Sequence, residues 1–566
     1  MGGGFTLFYT LDSRRRAITA RPGQTVLAAL QNAGVTALPA PCGGAGSCGK
    51  CRVRAEGLGW VLACRTPAAP GMELFLAGQG AAAVFCQGAL RPWEALPPDP
   101  WALDGPAGGP GTDGPAAGSA AAVLGTGGPA ADGLANAFAE DADKPLLGAA
   151  VDLGTTTLVV HLHDLATGRR LASAGEANAQ GPFGADVVRR IAACEGGGLA
   201  RLAGAVRGQL SRITAGLLAG AGAGPSALRA VCVAGNTIML HILAGLSPAS
   251  MGRAPFAPLT LFGGEVPGRE LGVGAWQNAR VLLCPCVAGY LGGDITAGLL
   301  ACGLGLPPAK QGPPAPGWRL FLDIGTNGEM ALAGPDGILC CATAAGPAFE
   351  GAGITLGMAG AAGAVSGVSW GPAGPAAAVL DGGPAKGVCG SGLVEAAAML
   401  RAVGALDASG RLLRAEEAEA AGGEELADWL GEEGGQPAAY LTPDRRVYLT
   451  QSDIRQLQMA KAAVAAGIAA LLHAAGVGAH EVQAVYLAGG FGSCLSVKSA
   501  RAIGLLPPAL AAPAQAVGNA AGEGAALALL RRDARRQLAA LAGRCRYLEL
   551  ATDPFFMQEY LEQMHF

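Results

Sequence analysis

The sequence predicts an α/β protein in several parts: a small N-terminal domain built around a cysteine cluster, a flexible linker, and a two-lobed nucleotide-binding core. Three observations predict it. Two apolar runs, residues 149–159 (AAVDLGTTTLV) and 320–330 (LFLDIGTNGEM), each end in Asp-x-Gly-Thr. A third run, 484–492 (AVYLAGGFG), ends in Gly-Gly-x-Gly. Four cysteines, Cys42, Cys48, Cys51 and Cys64, crowd one short stretch near the start of the chain. Runs rich in Val, Leu and Ile read as buried strands, and glycine at the bend lets backbone amides and Thr hydroxyls come close to an anion. Two Asp-x-Gly-Thr copies lie 171 residues apart, each opening a segment of domain size, so two similar halves facing each other across a nucleotide are expected.

Length and composition bound the rest. At 566 residues the chain is too long for one core. A hydrophobic share of 51% would allow a membrane protein, but it comes from Ala and Gly. The most apolar segment, 230–246, carries Asn236, Thr237 and His241, and falls short of the run of about 20 apolar residues that a bilayer needs. The first residues show no basic region followed by an apolar core, so a cytoplasmic protein with no membrane segment is expected. Fifteen cysteines, an odd number spread over a long chain, favour free thiols plus metal ligands over a disulfide framework. A net charge of -4 gives no reason to expect nucleic-acid binding, yet residues 1–66 carry a balance of +6 and the remainder -10. That basic stretch is either a solvated rim or a docking face for an acidic partner.

Taken in order, residues 5–9 and 16–20 predict a hairpin and 26–33 a short helix. PCGGAGSCGKC then sets Cys42, Cys48 and Cys51 in a loop whose glycines can aim amides at cluster sulfurs, with Cys64 following after twelve residues. Four thiolates satisfy an iron-sulfur cluster or a zinc ion; the Gly richness and the preceding hairpin and helix favour the cluster. A Pro/Gly/Ala-rich stretch after residue 96 has little to bury and reads as a linker. Some 40 such residues reach about 35 Å.

Within the core, Asp152 and Asp323 stand where a magnesium ion bridging phosphates needs a carboxylate. Gly154, Thr155, Thr156 and Thr157 would line the first phosphate loop, and Gly325, Thr326, Asn327 and Gly328 the second. Gly489, Gly490 and Gly492 would let the backbone lie against a nucleoside. Residues 230–241 predict a strand, a Gly-Asn-Thr turn and a helix. Segments 289–303 and 518–530 predict small-residue helices that cross between the halves. Asp294, at the start of the first of these, either orients the attacking water or caps its helix. Residues 411–436 predict an acidic exposed insertion, and 450–453 the start of a long helix whose Ile454, Leu457, Val464, Ile468 and Leu471 share one face.

The order of phosphate loop, phosphate loop and nucleoside loop resembles the ASKHA superfamily of sugar and acetate kinases, heat-shock ATPases and actin, over residues 146–566. That resemblance implies a two-lobed, actin-like or ribonuclease H-like ATPase core, and gives Gln458 and Lys461 either a place in an adenosine pocket or one on a solvated polar face. The cysteine loop resembles the β-grasp ferredoxin-like 2Fe-2S domain. The joint series of the 2Fe-2S domain, linker, DLGTTT, GNTIMLH, DIGTNGE, TAAGPAFEG, CGSGL, TQSDIRQLQMAKAA and AGGFGS resembles the ATP-dependent reductive activators of corrinoid proteins. The implied domains are 1–96 (2Fe-2S), 97–145 (linker), 146–310 (lobe I) and 311–566 (lobe II). The resemblance also implies a 2Fe-2S cluster, ATP and Mg2+ as cofactors. Its implied partners are a corrinoid protein and an electron donor such as a ferredoxin or reductase, with a homodimer left open. Against it stand a small-molecule kinase, which has no use for the cysteine domain, and a redox-sensing ATP-binding module.

Overall fold

The computed structural model describes residues 4–11, 14–33, 35, 52–55, 58–75, 98–100, 145–184, 186–305, 317–351, 353–358, 360–492 and 494–566. Linker residues 101–144, and Cys42, Cys48 and Cys51, lie outside these residues. Chain contacts divide the protein into two compact units. One comprises Met1–Gly88, Ala309–Asn519 and Leu548–Phe566, the other Ala89–Pro308 and Ala520–Tyr547.

The expected N-terminal hairpin is present as β1 (Phe5–Leu11) and β2 (Arg14–Ala20), paired antiparallel with Phe5 opposite Ala20. Helix α1 (Val26–Asn32) follows, then β3 (Arg52–Ala55), β4 (Gly59–Leu62) and β5 (Glu73–Phe75). The sheet order is β2-β1-β5-β3-β4. Alternate residues of β1, Leu7 and Tyr9, turn inward to a core with Val26, Leu27, Leu30, Val53, Leu62 and Leu74.

The next sheet contains β6 (Leu147–Leu153), β7 (Thr157–Asp164), β8 (Arg170–Ala177), β9 (Leu228–Gly235), β10 (Glu265–Pro267) and β11 (Arg280–Leu283). Their order is β10-β11-β9-β6-β7-β8. Strands β6 to β8 form an antiparallel meander, while β9 is parallel to β6 and β11 to β9. Both β6 and β9 are buried almost throughout, as strands covered on both faces must be. Helices α2 (Val187–Ala193), α3 (Leu199–Gly220), α4 (Thr237–Ala244) and α5 (Gly293–Ala301) complete this part.

The same plan recurs downstream. Strands β12 (Trp318–Ile324), β13 (Gly328–Gly334) and β14 (Gly337–Thr343) form the meander. After two three-stranded sheets come β15 (Val482–Ala488), parallel to β12, and β16 (Ala514–Gly518), parallel to β15. Between β14 and β15 stand α6 (Gly390–Ala402) and the long α7 (Gln451–Ala475). Thr450 and Asp453 form a reciprocal capping box at the start of α7, and Gly476, at φ +68°, closes its end. Its Ile454, Leu457, Val464, Ile468 and Leu471 are fully buried. Among the described residues α7 is the helix long and apolar enough to cross a bilayer, but 78% of its most apolar window is buried in the protein, as in a core helix.

The chain ends in α8 (Ala520–Leu530), α9 (Arg532–Arg544) and α10 (Pro554–Glu562). Here the structure departs from the division at residue 310, because 520–547 belong to the unit of 89–308. Helices α5 and α8, expected to cross between halves, belong to one unit and pack on each other. A Cβ on Gly524 would fall 1.9 Å from the carbonyl oxygen of Ala297, so glycine is what permits the approach.

Candidate functional site

The first Asp-x-Gly-Thr turn joins β6 to β7. Asp152, half-buried, sits opposite Val159 on one side and Ala234 on the other. Three successive carbonyls beyond it are tied to one side of the turn. Asn178 Nδ2 donates to Gly154 O at 2.9 Å, Arg190 Nη2 to Thr155 O at 2.7 Å, and the Asn178 amide to Thr156 O at 2.8 Å. A trans peptide is planar with N–H opposed to C=O, so the amides of Thr155, Thr156 and Thr157 point away from that support. Arg190 is 1% exposed and is itself held by Gly184 O and Gln180 Oε1. The arrangement can receive an anion. Asn178 and Arg190 are the residues that sequence reasoning missed, although the NAQGPFGADVVRRI segment containing both is clear enough in the sequence.

Nearby in this unit, Gly292 and Gly293 let the start of α5 approach closely. A Cβ on Gly292 would lie 2.4 Å from Gly235 O, and one on Gly293 2.7 Å from Cys284 Cβ. Asp294 follows in the first turn, its Oδ1 accepting the Ile295 amide at 2.9 Å. Desolvation pushes its carboxyl up to about 6, partly opposed by the amides of Ile295, Asp294 and Gly292. The bond to Ile295 is a helix-start role; the raised carboxyl is what a proton acceptor near neutral pH requires. The thiol of Cys286 is pushed up to about 12 by burial, which leaves it inert.

The second turn, between β12 and β13, has different chemistry. Asp323 sits opposite Glu329 on β13 and beside Ala488 on β15. The Gly325 amide donates within the turn to Asn327 O at 2.9 Å. Thr326 Oγ1 donates to Glu350 Oε2 at 2.7 Å, and Asn327 Nδ2 to Glu329 Oε1 at 3.2 Å. Gly328 O accepts from Thr343 Oγ1 at 3.3 Å. This turn differs from the first: the Gly325 amide and the Thr326 hydroxyl direct their protons to partners inside the protein. Glu350, within the TAAGPAFEG segment, has no role legible from sequence, since its contact lies 24 residues away.

The Gly-Gly-x-Gly segment forms a single helical turn, Gly489–Gly492. Gly489 has φ +83°, and a Cβ there would lie 2.4 Å from Asp323 Oδ1. Glycine at 489 is what permits this closeness to the carboxylate. Gly490 is exposed with open space around it, Gly492 is buried, and Phe491 stacks on Phe349 at 4.5 Å.

Gln458 and Lys461 are not on an open pocket. Each is 1% exposed. Gln458 Nε2 donates to Ser409 O at 2.9 Å and Met564 O at 2.6 Å, and Lys461 Nζ donates to His565 O. The 564–566 segment lies over them, and burial lowers the Lys461 ammonium to about 8. Their placement in an adenosine pocket is corrected: they hold the C-terminal segment to α7.

Cys64 follows β4 in a turn whose Arg65 amide donates to Leu62 O, and it is 6% exposed. A buried thiol at the edge of the N-terminal core is a fitting soft ligand for iron; the other three cysteines lie outside the described residues.

Residues 9–69 match the 2Fe-2S iron-sulfur cluster binding domain family, 147–306 the RACo middle region, and 318–566 the C-terminal ASKHA domain of RACo. The corrinoid activation enzyme RamQ of Eubacterium limosum is 32% identical over 428 residues, 74% of this chain and 70% of that protein. The chain belongs to the RACo family of reductive activators. A solved structure titled a reductive activator for corrinoid, iron-sulfur protein aligns over 99% of the chain and 98% of its own, with a TM-score of 0.68 and 28% identity. Also similar to this RACo-family chain is the Co(II) methylated amine-specific corrinoid protein reductase of Methanosarcina barkeri, 24% identical over 41% of each. The two RACo segments span both six-stranded sheets, and the 2Fe-2S match falls on most of the N-terminal sheet, a cysteine domain preceding an ATPase core on one chain.

Proposed function

We propose that the protein uses ATP hydrolysis to pass one electron from its N-terminal 2Fe-2S cluster to the cob(II)amide of a methyl-transferring corrinoid protein, regenerating cob(I)amide. The observation that carries this reading is the joining of a 2Fe-2S domain to both RACo segments in one chain. A 2Fe-2S cluster of plant type supplies a one-electron donor near about -400 mV. Cys42, Cys48, Cys51 and Cys64 would hold it. The family resemblance implies a lower cobalt couple in such partners, so the transfer would run uphill and need a coupled free-energy source.

The chain's own residues divide the ATP chemistry. The amides of Thr155, Thr156 and Thr157 bind phosphate, with Asn178 and Arg190 fixing their direction. Asp152 and Asp323 would each offer a carboxylate to Mg2+, which would screen phosphate charge. Asp294 orients the attacking water and accepts its proton. Gly489, Gly490 and Gly492 support the nucleoside end, Gly489 acting through its contact with Asp323. Closure on ATP and release after hydrolysis form a two-state element through which differential affinity can alter a bound partner. The same reading includes a cytoplasmic setting, a ferredoxin or reductase as electron source, and a homodimer as a candidate assembly.

The test is an anaerobic assay of reconstituted protein with a reductant and a cob(II)amide-loaded corrinoid protein, followed by visible spectrum. Cob(I)amide is expected to accumulate only with ATP. Reduction to the same extent without ATP overturns the coupling.

A further inference from the structure

The Pro/Gly/Ala-rich stretch between the cysteine domain and the core opens with Pro97-Pro98-Asp99-Pro100. Proline has no backbone N–H, and the residue before a proline is pushed toward an extended conformation. Asp99 is therefore the one residue of these four with an amide to offer, and its neighbours already hold it extended. The structure uses that amide. It donates to Leu530 O at 2.9 Å, and Asp99 O accepts the Arg532 amide at 3.0 Å, which makes a parallel bridge to Arg531 where α8 gives way to α9. The Asp99 carboxylate lies 3.4 Å from Arg532 Nε. Pro100 is buried, and Pro98 rests on the turn between β7 and β8, where a Cβ built on Gly168 would lie 3.6 Å from Pro98 Cβ. All these contacts fall within the unit of 89–308 and 520–547. Helix α8, which ends at this strap, also packs on α5, whose first turn carries Asp294.

The strap changes where the tether begins. Strand β5 ends at Phe75, so residues 76–97 are what separates the cysteine domain from the strap. Residues 101–144 leave the strap and return to β6 in the same unit, so their length adds nothing to the reach of the cysteine domain. Resting on the reading that this domain passes electrons, we propose that Pro98, Asp99 and Pro100 are a positioning element for electron transfer: they hang the 2Fe-2S domain from the α8–α9 junction on the short leash of 76–97. A coil of that length has an r.m.s. reach of about 25 Å, against about 45 Å for an unpinned tether over 76–144. Effective concentration falls roughly as the −3/2 power of tether length, so the strap keeps the cluster about fivefold more concentrated around the unit that carries the first anion-receiving turn.

The distance from the cluster to the core tests this without nucleotide, partner or turnover. Pulsed dipolar spectroscopy would read it in the full-length reconstituted protein, between the reduced, paramagnetic cluster and a nitroxide carried on an unnatural residue in place of the exposed Ala166. A Gly/Ser insertion of about 40 residues between Leu96 and Pro97 is expected to move the mean distance outward by about 15 Å. The same insertion after Gly118 should leave the distribution unchanged. Asp99→Pro removes the amide that bonds Leu530 O, and in that background the insertion after Gly118 should move the distance as well. Asp99→Asn keeps the backbone pairing and should behave as the native chain. Equal shifts from the two insertions in the native background overturn the proposal. A distribution that neither insertion moves also overturns it, since the domain would then be placed by docking and not by its leash. Absence of a reduced-cluster signal from the native chain would instead remove the reading on which the proposal rests.

Discussion

Asp294 owes its chemistry to its surroundings. Its carboxyl is raised from the ordinary aspartate value to about 6, chiefly by desolvation. A group whose acid form is favoured by the fold stabilises most below its unfolded value, and that contribution is lost as pH rises through about 6. Asp294→Asn should therefore flatten the pH dependence of thermal stability between about pH 4 and 6, and should lower ATP turnover by about a hundredfold at pH 7.5. Unchanged turnover, read in a phosphate-release assay, would leave Asp294 as a helix-start residue alone. Lys461 runs the other way. Burial lowers its ammonium to about 8, so its contribution is present above the unfolded lysine value and lost as pH falls through about 8. Gln458→Ala should cost about 1–3 kcal/mol of stability by denaturant titration, because it removes the Gln458 bonds to the carbonyls of Ser409 and Met564, of which Ser409 O keeps only Arg455 as donor. Nucleotide affinity should stay within about twofold. A loss of ADP binding without a loss of stability would restore the adenosine-pocket assignment.

At the scale of elements, Gly489 is the position where geometry leaves least room. Its φ of +83° and the 2.4 Å that would separate an added Cβ from Asp323 Oδ1 forbid a side chain twice over. Gly489→Ala should weaken Mg·ADP binding at least about tenfold by displacing Asp323, with circular dichroism unchanged; native binding would refute the coupling of these two segments. The strands that end in these turns were legible because each is a short apolar run with a glycine bend, and α7 because its apolar residues fall on one face and Thr450 and Asp453 mark its start. Glu350 was not legible, since its partner is fixed by how a short 347–350 helical turn settles on the sheet, and no local pattern encodes that. Gln458 and Lys461 were misplaced for a related reason. Their partners are 106 and 104 residues downstream, and a polar side chain on a helix reads the same whether it meets a ligand or a later stretch of its own chain.

For the whole molecule, chain order and contact order differ. Helices α8 and α9 follow the second half in sequence but pack with the first, because Gly524 lets α8 lie against α5. Gly524→Val should lower the melting temperature by several degrees through that contact. The +6 balance in residues 1–66 against -10 elsewhere predicts a different response at the front domain. Its reduction by an acidic donor should slow steeply with ionic strength in stopped-flow traces, and indifference to salt would dismiss a docking role for the basic face. The three carbonyls fastened beneath Gly154, Thr155 and Thr156 carry a consequence of their own. A turn already locked by Asn178 and a buried arginine has little disorder left to surrender when its ligand arrives, so catalysis can draw on the energy of nucleotide capture to move the rest of the protein instead of consuming it in arranging the cradle.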